Sequence, residues 1–581
     1  MYRSIVFAVV LCLIKSMGCD DTVSYPEVEI ESGRLIGSFS ENRVGVRYAQ
    51  FYGIPYGHVE KRFDISTPAK LWTGIKNATD SGPGCARYSM MVPGFAGVED
   101  CLTLDLYTPK IRSLNGSSDL LPVMVWLTGG GFVDGLGSYY GGKYFMDQLV
   151  ILVTVNFRLG AFGFLNAGVK SARGNQGLKD IVLALKWVQN NIEVFSGDKN
   201  RVTIFGESSG GAAASLLTAS PMAKGLFHGA ILQSGTATCP YVMRAGDGIK
   251  EAKTLAVAVD CPSSHGEYLV QCLQKVKPEL LAPLSIFFNE FGMDSSAIHM
   301  GPTVETYPGI GDEDNSTFLK EDPYSLISSG NFHKVPILIG FVASEVFGIS
   351  KRLLAADKIK KINSQFGRII QSALLYHDTA EDPSFVTERI RQYYFNRSEL
   401  TPSSGDDLER LIGDRSIVHC TRKVAAAYAN YTTVYAFNYT KSEPASVGTI
   451  DTAVTTLEGD NQPPKPAGER PPAHADELAY LFEMRPPLDK FFPKITKDNE
   501  TFEFSKNFVS LWTSFALNGK PRKLWGDKGT EWTPLKPNMR QEYLQINEDP
   551  VMLEVNQVFE NSWKFWDSLP LKEHGKKWVA E

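Results

Sequence analysis

Ser208 stands within Arg201-Val202-Thr203-Ile204-Phe205-Gly206-Glu207-Ser208-Ser209-Gly210-Gly211-Ala212-Ala213-Ala214. A β-branched, apolar run enters a G-x-S-x-G turn, and small residues that tolerate a helix leave it. A serine at such a strand–turn–helix junction sits on a sharp apex, with the positive end of a helix beneath it to favour developing negative charge. Gly206 and Gly210 suit the bend because a Cβ at either would strike the neighbouring element. The chemistry implied is nucleophilic catalysis. A hydroxyl performs it only when a base takes its proton and an acid orients the base.

Among nine histidines, His474 is the candidate base. It lies in Ala473-His474-Ala475-Asp476-Glu477-Leu478-Ala479-Tyr480-Leu481-Phe482, after a Pro-rich stretch and directly before a predicted helix. A purely structural His474 would cap that helix, whose first turn Asp476 and Glu477 suit. The acid is expected between nucleophile and base, since hydrolases with this elbow run in the order Ser, acid, His. Glu345, in Ser344-Glu345-Val346-Phe347, comes just past a predicted buried strand ending at Gly340. Open α/β sheets place functional groups at the carboxyl ends of their strands, although a solvated loop glutamate is the plainer alternative. Oxyanion donors are expected from Thr128-Gly129-Gly130-Gly131-Phe132, where three glycines let backbone N–H groups face a cavity, although a flexible turn is the plainer alternative, and from the N–H of Ser209.

These groups need a scaffold. Leu121–Leu127 and Val150–Val155 read as buried strands, and further short apolar runs precede Ser208, cover Ala230–Leu232 and Val335–Gly340, and end at Phe437. Between Asp180 and Phe195, Val182, Leu185, Trp187, Val188 and Ile192 form a helical stripe. Strands separated by helical crossovers predict an α/β fold, a mostly parallel central sheet with helices on both faces. Lys441–Pro472, rich in Pro, Thr, Glu and Gly, reads as a long surface loop rather than a linker, so residues 19–581 are expected to form one domain.

Composition narrows the setting. The chain has 581 residues, 43% of them hydrophobic, and a net charge of −6 without a basic patch, which argues against nucleic acid as a partner. Arg3, the apolar run Ile5–Ile14 and the small residues Ser16 and Gly18 read as a secretory signal, residues 1–18. Ten apolar residues are too few to span a membrane, no other run is long enough, and Lys576–Glu581 is no ER-retention signal, so export is expected. Sequons at Asn77, Asn115, Asn315, Asn396, Asn430, Asn438 and Asn499 agree, although Asn438 falls in a predicted strand. In an oxidising compartment Cys85 with Cys101 and Cys261 with Cys272 would close two short loops, while Cys239 and Cys420 could pair or stay as buried thiols. No C-x-x-C or H-E-x-x-H occurs, so neither metal nor cofactor is expected.

The chain also resembles the type-B carboxylesterase/cholinesterase family of the α/β-hydrolase fold, most of all its secreted insect members. The resemblance rests on Glu99–Pro109, Asn156–Leu165, Gly174–Asp180, the Ser208 elbow, Ser344-Glu345 and His474–Leu478, and covers nearly all of the mature chain. It implies a triad of Ser208, Glu345 and His474, an oxyanion hole from Gly130, Gly131 and Ser209, and disulfides Cys85–Cys101 and Cys261–Cys272. It also implies a small hydrophobic ester as substrate. The chain departs from the family at Thr128 (usually His), Ser209 (usually Ala), Val346 (usually Gly) and Ile181 (often Gln), and its Gly57–Lys61 segment is shortened. Glu207 stands where juvenile-hormone esterases typically carry Gln. None of these changes removes a group the reaction requires. Two rival functions use the same fold: a non-catalytic adhesion domain, and a sequestering protein that holds hydrophobic ligands and turns esters over poorly. The resemblance leaves the oligomeric state open.

Overall fold

The computed structural model describes residues 25–89, 93–111, 119–243, 248–285, 300–305, 316–346, 353–354, 356–442, 471–490, 492, 494–525, 531–537, 542–555 and 557–572. The predicted signal, the sequons at Asn115 and Asn315, the tail and most of the Pro-rich loop lie outside these residues.

The main sheet has eleven strands: β1 (Ser38–Glu41), β2 (Arg47–Pro55), β3 (Thr103–Thr108), β4 (Leu121–Leu127), β5 (Ile151–Val155), β6 (Gly197–Glu207), β7 (Gly229–Gln233), β8 (Ile337–Val342), β9 (Val434–Tyr439), β10 (Glu542–Ile546) and β11 (Val551–Glu554). Across the sheet they follow the order β11-β10-β9-β8-β7-β6-β4-β5-β3-β2-β1. The stretch from β10 to β5 is parallel. Antiparallel strands finish both edges.

β4 and β8 are apolar throughout because both faces are covered. Along β4, Val123, Val125 and Leu127 enter one core and Met124 and Trp126 the other. The first core takes α1 (Gln176–Asn191) and α2 (Ser209–Ala219), through Leu178, Ile181, Leu185, Ala213 and Leu217. The second takes α5 (Phe502–Asn518), through Phe508, Val509, Leu511 and Trp512. Each such side chain, fully buried, contributes about 1.5–3 kcal/mol. α1 begins before the expected Asp180, and Ile192–Phe195 closes the stripe as a tighter 3₁₀ turn. Asp180 lies in the second turn of α1 and forms a buried bidentate pair with Arg158.

Disulfides join Cys85 to Cys101 and Cys261 to Cys272, as expected, and Cys239 pairs with Cys420 at the start of α3 (His419–Ala429). Asn77, Asn396, Asn430 and Asn499 are exposed. The sequon at Asn438 is corrected: the residue is 4% exposed inside β9, between β8 and β10, where a glycan has no room. Among the described residues no helix is long and apolar enough to cross a membrane.

Candidate active site

Four parallel strands deliver the candidate residues from their carboxyl ends. β6 runs into Ser208, β4 into Thr128–Phe132 and β8 into Glu345, while His474 follows β9 in the chain and stands just before α4 (Leu478–Leu481). The loops of acid and base are stitched together, because the Ser344 N–H donates to Pro472 O at 3.1 Å and the Ala343 N–H to Tyr439 O at 2.8 Å.

Ser208 has φ 57° and ψ −127°, a conformation open mainly to glycine and costing about 1–3 kcal/mol in any other residue. The surroundings hold it there. Its N–H donates to Gln233 O at 2.8 Å, and its own carbonyl accepts the Ala212 N–H at 3.0 Å as α2 begins. Side chains at Gly206 or Gly210 would collide with backbone, the latter with the Leu127 carbonyl. Gly130, Gly131 and Phe132 follow β4 with φ of 117°, 64° and 62°. Among the described residues the N–H groups of Gly130, Gly131 and Ser209 meet no acceptor. Unmet backbone donors beside a nucleophile are what an oxyanion needs.

Glu345 is 4% exposed. Its Oε1 accepts the Val342 N–H at 3.0 Å, and its Oε2 lies 2.6 Å from His474 Nδ1. Asp476 accepts the Ala473 N–H at 2.6 Å, and so shapes the turn that presents the imidazole. His474 does not cap α4, whose N-cap, Glu477, makes no side-chain capping bond.

The far side of the imidazole differs from expectation. His474 Nε2 lies 3.0 Å from Glu207 Oε1, off the line of a hydrogen bond. Among the described residues Ser208 Oγ has no hydrogen bond to the ring. Ser208 and Glu207 face one wall: a Cβ on Gly129 would sit 3.1 Å from Ser208 Cβ and 2.8 Å from Glu207 Oε2. Burial works against a charged imidazole here. The Glu207 carboxylate, then Glu345, overcome it and hold the His474 pKa well above its ordinary value.

A third buried acid completes the electrostatics. Glu477 is fully buried and accepts Gln233 Nε2 at 2.9 Å, while Trp512 Nε1 donates to Gln233 Oε1 at 3.0 Å. Burial, and then the charge of Glu207, push the Glu477 pKa up, which favours its neutral acid. Glu207 and Glu477 were not singled out as site residues from sequence. The signal was available: one directly precedes Ser208, the other follows His474 by three positions.

A family model described as "Carboxylesterase family" matches residues 24–566. Esterase E4 of Myzus persicae is 30% identical, over 91% of this chain and 93% of that protein. Juvenile hormone esterase of Tribolium castaneum is 33% identical, over 87% and 85%. Cocaine esterase of Homo sapiens is 30% identical, over 93% and 91%. Among solved structures, Juvenile Hormone Esterase from Manduca sexta with OTFP covalently attached superposes with a TM-score of 0.78 at 24% identity, covering 94% of this chain and 99% of that one. That likeness establishes a shared fold.

Proposed function

Because the chain belongs to the carboxylesterase family and is, as such, a carboxylic ester hydrolase, we propose that it works through an acyl-enzyme on Ser208. His474 takes the Oγ proton as Ser208 attacks the ester carbonyl. The N–H groups of Gly130, Gly131 and Ser209 receive the oxyanion, and His474 returns the proton to the leaving alcohol. Water then repeats the sequence on the acyl-enzyme. Glu345 fixes the ring through Nδ1 and favours its cation. In the resting state Nε2 rests against Glu207, and a turn of the Ser208 and His474 side chains closes the relay when substrate arrives. Such contacts commonly tighten only in the substrate complex.

The observation that carries this reading is the 2.6 Å contact between Glu345 and His474, on the sheet edge that also bears the strained Ser208. The substrate is taken to be a small hydrophobic carboxylic ester. Ser208→Ala should lower kcat on an aryl ester by about 10⁴-fold or more while the fold is kept. A fluorophosphonate should label the wild type once, at Ser208. Ordinary turnover by the variant removes Ser208 from the mechanism, and a wild type that neither labels nor turns over indicates the adhesion or sequestering role.

Export is part of the same proposal. Three disulfides and four exposed sequons suit an oxidising route, as does the signal-like N-terminus. Expression in insect cells should deliver a glycosidase-sensitive protein to the medium. Retention in the cytosol without glycans would overturn it.

A further inference from the structure

Ser209 brings more to this site than its N–H. Its hydroxyl is buried, and Oγ accepts the N–H of Phe132 at 3.2 Å across the gap between the start of α2 and the glycine loop. That loop is not held by its own preferences. Gly130, Gly131 and Phe132 all have positive φ, and for Phe132 the left-handed conformation costs about 1–2 kcal/mol. Something must hold the phenylalanine there. Its carbonyl accepts the Gly160 N–H at 2.7 Å, its ring packs edge-on against Phe164 at 5.1 Å, and its N–H goes to Ser209.

We propose that Ser209 Oγ is a positioning group for the oxyanion hole, clamping the Gly130–Phe132 loop at a set distance from the Ser209 N–H. The inference rests on the acyl-enzyme reading. One residue then spans the hole: its main chain supplies a donor on one wall, and its side chain ties down the wall that carries the other two. An alanine at this position would supply the N–H but leave the buried Phe132 N–H unpaired, and an unpaired donor can be relieved by a peptide rotation in a glycine-rich loop. Such a rotation re-aims the neighbouring Gly131 and Gly130 donors. Oxyanion donors act through fixed direction, so a small change of aim weakens the transition state more than the ground state.

The test compares Ser209→Ala with Ser209→Cys, which keeps the volume but offers a poor acceptor. Rates are expressed per site titrated with a fluorophosphonate, so misfolded protein does not count. Both variants should lose about tenfold to a hundredfold in kcat with little change in KM. Both should bind a trifluoromethyl ketone, whose hemiketal oxyanion occupies the hole, more weakly by the factor lost in kcat/KM. If kcat per titrated site and ketone affinity stay within about twofold in both variants, the clamp has no role in catalysis. Loss in Ala alone would assign the effect to volume and overturn the proposal. Failure of both to fold would make the hydroxyl structural and overturn it too. Turnover by Ser208→Ala would instead sink the underlying acyl-enzyme reading, so the two failures are distinct.

Discussion

His474 is gripped from both sides, with Nδ1 2.6 Å from Glu345 Oε2 and Nε2 3.0 Å from Glu207 Oε1. Two carboxylates beside one imidazole favour its cation more than burial opposes it, so the His474 pKa lies well above its ordinary value. A general base must be neutral to take a proton. The acidic limb of kcat/KM for an uncharged ester should therefore lie above the ~6.5 of a free imidazole. Glu207→Gln removes the larger attractive charge, so the limb should move to lower pH and activity at mildly acidic pH should rise relative to the alkaline plateau. A pH–rate profile of the two proteins checks this. A limb that stays in place would show that Glu207 does not set the base.

The same shift has a stability side. The folded state binds the His474 proton more tightly than the unfolded chain, so the resulting stabilisation is fully present below about pH 6.5 and is lost as pH rises through the higher folded value. Thermal unfolding from pH 5 upward should show a smaller alkaline decline in Glu207→Gln than in the wild type, after common slopes are removed. Equal declines would place the coupling elsewhere.

Glu477 acts in the same sense, through a neutral acid rather than a cation. Its folded pKa is raised by burial and by the charge of Glu207, so the folded protein keeps a proton that the unfolded chain releases above about pH 4.5. That proton binding makes stability fall as pH rises from there towards the folded value. Glu477→Gln mimics the neutral acid and can still accept from Gln233 Nε2. It should match the wild type near pH 4 and become the more stable protein towards pH 7, with kcat within a few-fold. A variant less stable at pH 7 would mean that Glu477 is charged.

Some of this arrangement was legible in the residues and some was not, for definite reasons. The elbow was readable because Gly206 and Gly210 exclude side chains on steric grounds, and local spacing reports local sterics. β4 and β5 were readable because strands covered on both faces are apolar at nearly every position. Asn438 was already doubtful in sequence, since it sits in the β9 run whose residues are buried. The contact of Glu207 with His474 was not readable. It depends on which way a strand-end side chain leaves a strained turn and on a loop arriving from 267 residues later (474 minus 207). The Cys239–Cys420 pair, separated by 181 residues, likewise depends on where the segment after β7 meets the start of α3, which no local pattern encodes.

That disulfide should be a strong staple. Its loop of about 180 residues lies at the long end of the chain-entropy scale, where closure stabilises by roughly 4–5 kcal/mol. It anchors the segment after β7, in which a side chain on Gly235 would collide with the Ser208 carbonyl. The Ser208 N–H bond to Gln233 O does not depend on it. The double variant Cys239→Ser with Cys420→Ser should therefore melt well below the wild type, yet retain kcat/KM within a few-fold at temperatures where it is folded. A melting point unchanged within error would show that packing alone holds the segment.

Strain at the nucleophile gives the last prediction. Ser208 holds φ 57° and ψ −127° because its N–H, its carbonyl and the tight approach of Gly206 and Gly210 leave no alternative. Replacing it with alanine keeps the Cβ and hence the strain. Replacing it with glycine removes the Cβ, relieving about 1–3 kcal/mol, against a cost of roughly 0.5–1 kcal/mol for the greater freedom of glycine in the unfolded chain. Ser208→Gly should therefore be more stable than Ser208→Ala, by up to about 2.5 kcal/mol, although both should be inactive. Denaturant midpoints of the two variants, compared at equal m, measure the difference. Because neither variant has the hydroxyl, the comparison isolates backbone strain from any hydrogen bond that Oγ makes. Coincident midpoints would limit the strain at this turn to the roughly 0.5–1 kcal/mol that glycine's freedom costs.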